Sequence, residues 1–180
     1  MQLVSYLLSA MIAWTPLAEH RYSLHQASDQ EKDDYTLSRY QDIATDLVEV
    51  LSDNKLLFEG ELGKVQTGLL VLAIASFESG GFREDIDNVK GSGDHGQSHC
   101  IMQIMYPLRD GEVMNDRQDC FRIGLARIRE SMQACRSYRL DERLAVYARG
   151  KCDSKWGIAN SKMKMKRASY WLTTHPFINE

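Results

Sequence analysis

The first half of this 180-residue chain has no cysteine, and no lysine or arginine precedes its amino-terminal apolar stretch, MQLVSYLLSAMIAW. Without that positive leader the stretch lacks the first part of a secretory signal. It is also short and broken by Gln2, Ser5, Ser9 and Thr15, which argues against a membrane span. Leu3, Leu7, Met11 and Trp14 follow helical spacing and predict a helix packed onto the domain, with a signal sequence as the lesser alternative. An excess of positive charge is missing as well. The formal net charge of −3 argues against a nucleic-acid binder as a whole. No internal repeat, low-complexity tract, glycine-rich phosphate loop or Ser/His/Asp arrangement stands out. What remains is ordinary: 43% apolar and 26% charged residues, in a length that suits one domain able to bury its own core.

The charge and the cysteines are unevenly placed. Residues 1–90 carry 7 Lys/Arg and 15 Asp/Glu, whereas residues 91–180 carry 15 and 10. The basic half includes the run SKMKMKR, which reads first as a solvated helix face and second as an attraction to an anionic polymer such as cell-wall material or nucleic acid. Cys100, Cys120, Cys135 and Cys152 permit two disulfides and so an oxidising compartment, with four buried thiols as the alternative. If DRQDCFRIGLARIRESMQAC is one helix, Cys120 and Cys135 lie about 22 Å apart at 1.5 Å per residue and cannot bond. Of the two connectivities left, the local one is favoured: Cys100–Cys120 with Cys135–Cys152.

Along the chain, RYSLHQASDQEKDDY reads as a polar loop or linker, and TLSRYQDIATDLVEVLSD as an amphipathic helix. Gly60 and Gly63 precede VQTGLLVLAIASFE, apolar on every side and therefore a central helix buried by its neighbours. Residues 80–99 hold turns or a small hairpin, and CIMQIM reads as one short helix. Residues 116–136 form a helix, DERLAVYARG a short one stopped at Gly150, and SKMKMKRASYWLTT a last one ended before Pro176. The expected fold class is mainly α with a minor β element. Residues 1–34 are an amino-terminal helix and linker packed on a domain of residues 35–180.

Glu78 closes the buried helix, and Gly80 and Gly81 supply its stop. Burial and the negative end of the helix dipole both disfavour a carboxylate there, so the position suits a general acid that keeps its proton. The alternative is an exposed glutamate at a helix end, and from Glu78 alone the two weigh evenly.

Three motifs in order change that balance. ESGGF at 78–82, GxGDHGQSHCIMQIM at 91–105 and AVYARG at 145–150 resemble the lysozyme-like lytic transglycosylase family, over roughly residues 40 to 170. The matching residues are Glu78 and Ser79; Gly96, Met102, Gln103 and Ile104; and Ala145, Tyr147 and Gly150. Gln97, Ser98 and His99 are inserted relative to shorter members, Ala148 replaces a usual Asn, and Arg149 stands where a small residue is commoner. The resemblance implies a lysozyme-like α+β fold. It also implies cleavage of the β-1,4 bond between N-acetylmuramic acid and N-acetylglucosamine in peptidoglycan, without a cofactor. Glu78 would protonate the glycosidic oxygen. As a base it would then let the muramoyl C6 hydroxyl attack C1, giving a 1,6-anhydro end. Ser79, Asp94, His95, Gln97, Gln103 and Tyr147 are the substrate-binding candidates. Gln103 would line the cleft, Ser79 would hold Glu78 or cap the helix, and Tyr147 would donate to Glu78 or to substrate.

A hydrolase would need a second carboxylate, with Asp85, Asp87 and Asp94 nearby and Asp94 best placed. Asp94, His95, His99 and Cys100 fit no standard zinc spacing, so no metal is expected. The partner expected is the peptidoglycan glycan strand, not nucleic acid or a membrane interior. The expected place is extracytoplasmic, whether periplasm, cell wall or virion, including a phage tail or cell-envelope assembly. A non-catalytic structural or glycan-binding module of the same fold is the competing class.

Overall fold

The computed structural model describes residues 2–23, 26–87, 89, 96–105 and 107–178. Among these lie six α-helices and one two-stranded antiparallel sheet: α1 (Leu3–Trp14), α2 (Asp29–Asp53), α3 (Gly63–Glu78), β1 (Ser98–His99), β2 (Ile104–Met105), α4 (Arg117–Ala134), α5 (Ala145–Arg149) and α6 (Lys155–Thr174). The expectation of a mainly α fold with a small β element holds.

The centre is α3. Leu69, Leu70, Val71, Leu72, Ala73, Ile74 and Ala75 are at most 1% exposed, which is why the segment could be apolar all round. α1, α2 and α6 pack about it, and α1 brings Tyr6, Leu7, Ala10 and Met11 fully into the core. Gly68 lets α3 approach so closely that a Cβ there would lie 3.1 Å from the Leu7 side chain and 3.3 Å from that of Leu51. The helix expected at the amino terminus is therefore a core element.

Three boundaries differ from the sequence reading. The expected linker ends early, because α2 starts at Asp29 under an S-x-x-E capping box in which Ser28 accepts from the Glu31 amide and Glu31 binds the Ser28 amide. α6 likewise starts at Lys155, capped by Ser154, six residues before the expected serine. CIMQIM is not a helix. Ile104 pairs with His99 and Met105 with Ser98, and the chain turns between them with Cys100 at φ 58° and Gln103 at φ 49°. The disulfides Cys100–Cys120 and Cys135–Cys152 are the local pairing, with Cα–Cα separations of 6.2 and 5.5 Å. The first ties the hairpin to α4, and the second ties the end of α4 to the connection between α5 and α6.

Candidate active site

Glu78 is the last residue of α3, and the chain stops there through a dense set of bonds. Ser79 donates its hydroxyl to the Ala75 carbonyl at 2.7 Å and accepts from the Phe82 amide at 2.8 Å. The Gly81 amide reaches back to the Ser76 carbonyl at 2.7 Å, and Gly80 and Gly81 take φ values of 63° and 91° that glycine adopts without strain. Ser79 thus caps the helix end. Its hydroxyl is spent on the backbone and does not hold the Glu78 carboxylate.

Glu78 opens onto a cleft of about 370 Å³. Gln103 from the hairpin and Tyr147 from α5 line the same cleft, so the three motifs, far apart in sequence, converge on one cavity. Gln103 donates its side-chain amide to the Cys100 carbonyl at 2.9 Å, which fixes the tight turn. Among the described residues three that are not glycine have positive φ, Phe82, Cys100 and Gln103, and all belong to the turns that follow Glu78 or form the hairpin. Left-handed backbone at such residues costs on the order of 1 kcal/mol each and persists where surrounding structure enforces it. The enforcement is visible: Phe82 and Cys100 are buried, and Cys100 is covalently tied to α4.

Tyr147 does not donate to Glu78. Its hydroxyl donates to the Met102 carbonyl at 2.8 Å, and its amide donates to Ser131 at 2.9 Å. Burial, then the negative charge of Glu78, pushes the phenol well above its ordinary value, so it stays a neutral donor. Gln97 is exposed beside β1 and does not line the cleft. Asp94 and His95 lie outside the described residues. Of the other acids near the helix end, Asp85 binds the exposed Arg83. Asp87, only 4% exposed at its side chain, is clamped by Arg117 and Arg39. Neither is disposed as a second acid. Among the described residues no group of three or more His, Cys, Asp or Glu side chains gathers as a metal site. Cys100 is in a disulfide, and His99 turns Nδ1 to the Val89 carbonyl at 2.7 Å.

The structure adds a partner that periodicity did not reveal. Lys164 of α6 projects its ammonium onto Glu78 Oε1, and the lysine side chain is 1% exposed against 27% for the glutamate. The Lys164 ammonium also lies 5.6 Å from the Tyr147 ring centroid. The run SKMKMKR is therefore not one solvated face. Lys162 pairs with Glu142 at 2.8 Å, Lys164 is internal, and Arg167 lies over the Phe77 and Trp14 rings. The Glu78 carboxyl at the helix end is thus paired with an ammonium from α6.

Further charged groups line the cleft without any motif to announce them. Arg109 binds Glu130 at 2.6 Å, and Arg127 binds Glu112 at 2.6 Å. Trp156, 54% exposed, forms part of the wall next to α5. The four arginines of α4, with Glu130 as its one glutamate, were the available signal, and such charges mark solvated helices more often than clefts. No helix among the described residues is long and apolar enough to cross a membrane, and the two disulfides point to an oxidising surrounding. Compared with models of known protein families, with curated proteins and with solved structures, the chain matches none of them.

Proposed function

We propose that the protein cleaves peptidoglycan glycan strands at the β-1,4 bond between N-acetylmuramic acid and N-acetylglucosamine, as a lytic transglycosylase with Glu78 as acid and base. One observation carries the reading: Glu78, Gln103 and Tyr147, each from a separate motif of the resemblance, line one open cleft with the carboxyl at the end of a buried helix. Arginines, a glutamate and an exposed tryptophan line the cleft, which suits a sugar polymer with charged substituents.

General acid catalysis needs a proton on Glu78, which rests against Lys164. A glycan filling the cleft would exclude water from the pair, and low dielectric disfavours separated charge. One proton then passes from Lys164 Nζ to Glu78 Oε1, leaving a neutral amine and a carboxylic acid. Glu78 gives that proton to the departing N-acetylglucosamine oxygen. Its carboxylate next takes the proton of the muramoyl C6 hydroxyl as that oxygen bonds to C1. Glu78 ends protonated, and no water is consumed.

Two observations keep other outcomes in play. Glu130 lines the same cleft, so a second carboxylate for hydrolysis has a source on α4. The ion pair with Lys164 also gives Glu78 a structural reason to exist in a non-catalytic module, as the counterion of a buried lysine. Mass spectrometry of fragments released from purified cell walls separates all three. Anhydro ends, one water lighter than reducing ends, are expected. Reducing ends would mean a hydrolase, and no soluble fragments would mean a binding or structural module.

A further inference from the structure

At one side of the cleft α5 ends on Arg149, whose guanidinium lies 4.0 Å from the centroid of the Trp156 ring. The other cations at the cleft are neutralised: Arg109 by Glu130, Arg127 by Glu112 and Lys164 by Glu78. Arg149 is exposed and has no carboxylate partner among the described residues. The guanidinium carbon lies over the indole ring, and a cation held there in a stack keeps the N–H donors of its edge available to an anion. That edge matches a carboxylate in bidentate fashion, and the stack removes part of the entropy such a contact would otherwise cost. Gly150, at φ 70°, turns the chain directly after Arg149, and the connection that follows carries exposed Lys151 and Lys155 against one exposed acid, Asp153. Gly157 packs α6 so tightly on α5 that a Cβ there would lie 2.9 Å from the Ala145 carbonyl oxygen, so Arg149 and Trp156 sit on elements with a fixed separation.

We propose that Arg149 and Trp156 form a subsite for a carboxylate-bearing substituent on the glycan, namely a free carboxylate of the peptide stem carried by the muramoyl sugar. Trp156 presents the aromatic surface at the cleft wall, and Arg149 reads the negative charge beyond it. The inference rests on the glycan-cleaving reading for the identity of the polymer, and on the uncompensated guanidinium for the charge of the substituent. It also gives the basic second half of the chain a specific purpose, at one point of the cleft.

Binding tests it without catalysis. The probe is the disaccharide of N-acetylglucosamine and N-acetylmuramic acid bearing a tetrapeptide, which lacks the bond to be cleaved, compared with the same compound after its carboxylates are converted to amides. Calorimetric titration of the full chain should show the carboxylate form binding about tenfold tighter or more, the size of one charge-assisted contact. Arg149→Ala, at an exposed position, should remove that difference while leaving the amidated probe's affinity nearly unchanged, with circular dichroism confirming the fold. Equal affinity for the two probes, or a preference that survives Arg149→Ala, would overturn the subsite. If neither probe binds, the subsite is also overturned. Whether the wild-type protein then still releases fragments from walls decides the fate of the glycan-cleaving reading separately.

Discussion

Glu78 and Lys164 depend on each other, so a substitution at either residue reports on stability as well as chemistry. Glu78→Gln preserves shape and an acceptor oxygen but strands an ammonium that is 1% exposed. Breaking a buried pair from one side costs about 3 kcal/mol at the lower end of its usual range, and that end applies because Glu78 is itself 27% exposed. Denaturant unfolding should therefore find Glu78→Gln less stable than the wild type. Removing both charges, as in Glu78→Gln with Lys164→Gln, should recover much of the loss. A Glu78→Gln protein as stable as the wild type would show that the pair carries no structural weight. Asp87 is a second such residue. Its carboxylate receives Arg117 Nε at 3.1 Å and Arg117 Nη2 at 2.9 Å, with Arg39 at 3.3 Å. Asp87→Ala leaves Arg39 without this carboxylate and Arg117 with Asp46 alone, and a loss of about 3 kcal/mol in unfolding free energy is expected. Glu78 was legible in sequence because a charged residue at the end of an all-apolar helix is conspicuous. Lys164 was not, since nothing in SKMKMKR distinguishes the one lysine that turns inward.

At the scale of elements, long periodic segments were legible and their edges were less so. The run from Val65 to Phe77, apolar without a break over residues 68–75, reads as a buried helix, and α3 is that helix. The start of α2 was missed although Ser28 and Glu31 spell a capping box, because the acidic residues that follow mask the helical period. CIMQIM was misassigned as helix because Ile101, Met102 and Ile104 are all core residues, so its apolar run reflects burial rather than period. Two positive-φ residues and a disulfide decide its shape instead. The 3₁₀ segment Leu17–Ser23 braces the end of α3 through His20, whose Nε2 meets the Gly81 carbonyl at 2.8 Å. Burial is the main cause that holds the His20 pKa below its ordinary value of 6.5. The folded protein then binds fewer protons at this site than the unfolded chain, so stability is full above pH 6.5 and falls as the pH drops from there towards the lower folded value. Melting temperature measured against pH should show that decline, and His20→Gln should flatten it. An unchanged decline in His20→Gln would place its origin elsewhere.

For the whole molecule, the disulfides are the devices that tie the hairpin, α4 and the α5–α6 connection of the second half, where most of the cleft is built, to one another. They close spans of 20 and 17 residues, and each should contribute about 3 kcal/mol if it acts through the unfolded chain. Reduction should lower the denaturation midpoint, and non-reducing peptide mapping should recover Cys100 with Cys120 and Cys135 with Cys152. Other pairs would contradict this architecture. The cleft itself was only half legible. Its motif residues Glu78, Gln103 and Tyr147 stood out by order and spacing, whereas Arg109, Arg127, Glu130 and Trp156 reach it through tertiary packing of α4, α6 and the segment before α4 that no local pattern encodes. The central claim is that Glu78 is the acid of this cleft and not merely the counterion of Lys164. The most direct measurement is the rate at which purified cell walls are solubilised by Lys164→Gln and by the double variant Glu78→Gln with Lys164→Gln, both checked for fold and neither carrying a stranded buried ammonium. Lys164→Gln should retain measurable activity, and the double variant should lie lower by ~10² to 10⁴, the range for loss of a general acid. Equal wall-solubilising rates in the two proteins would contradict the claim.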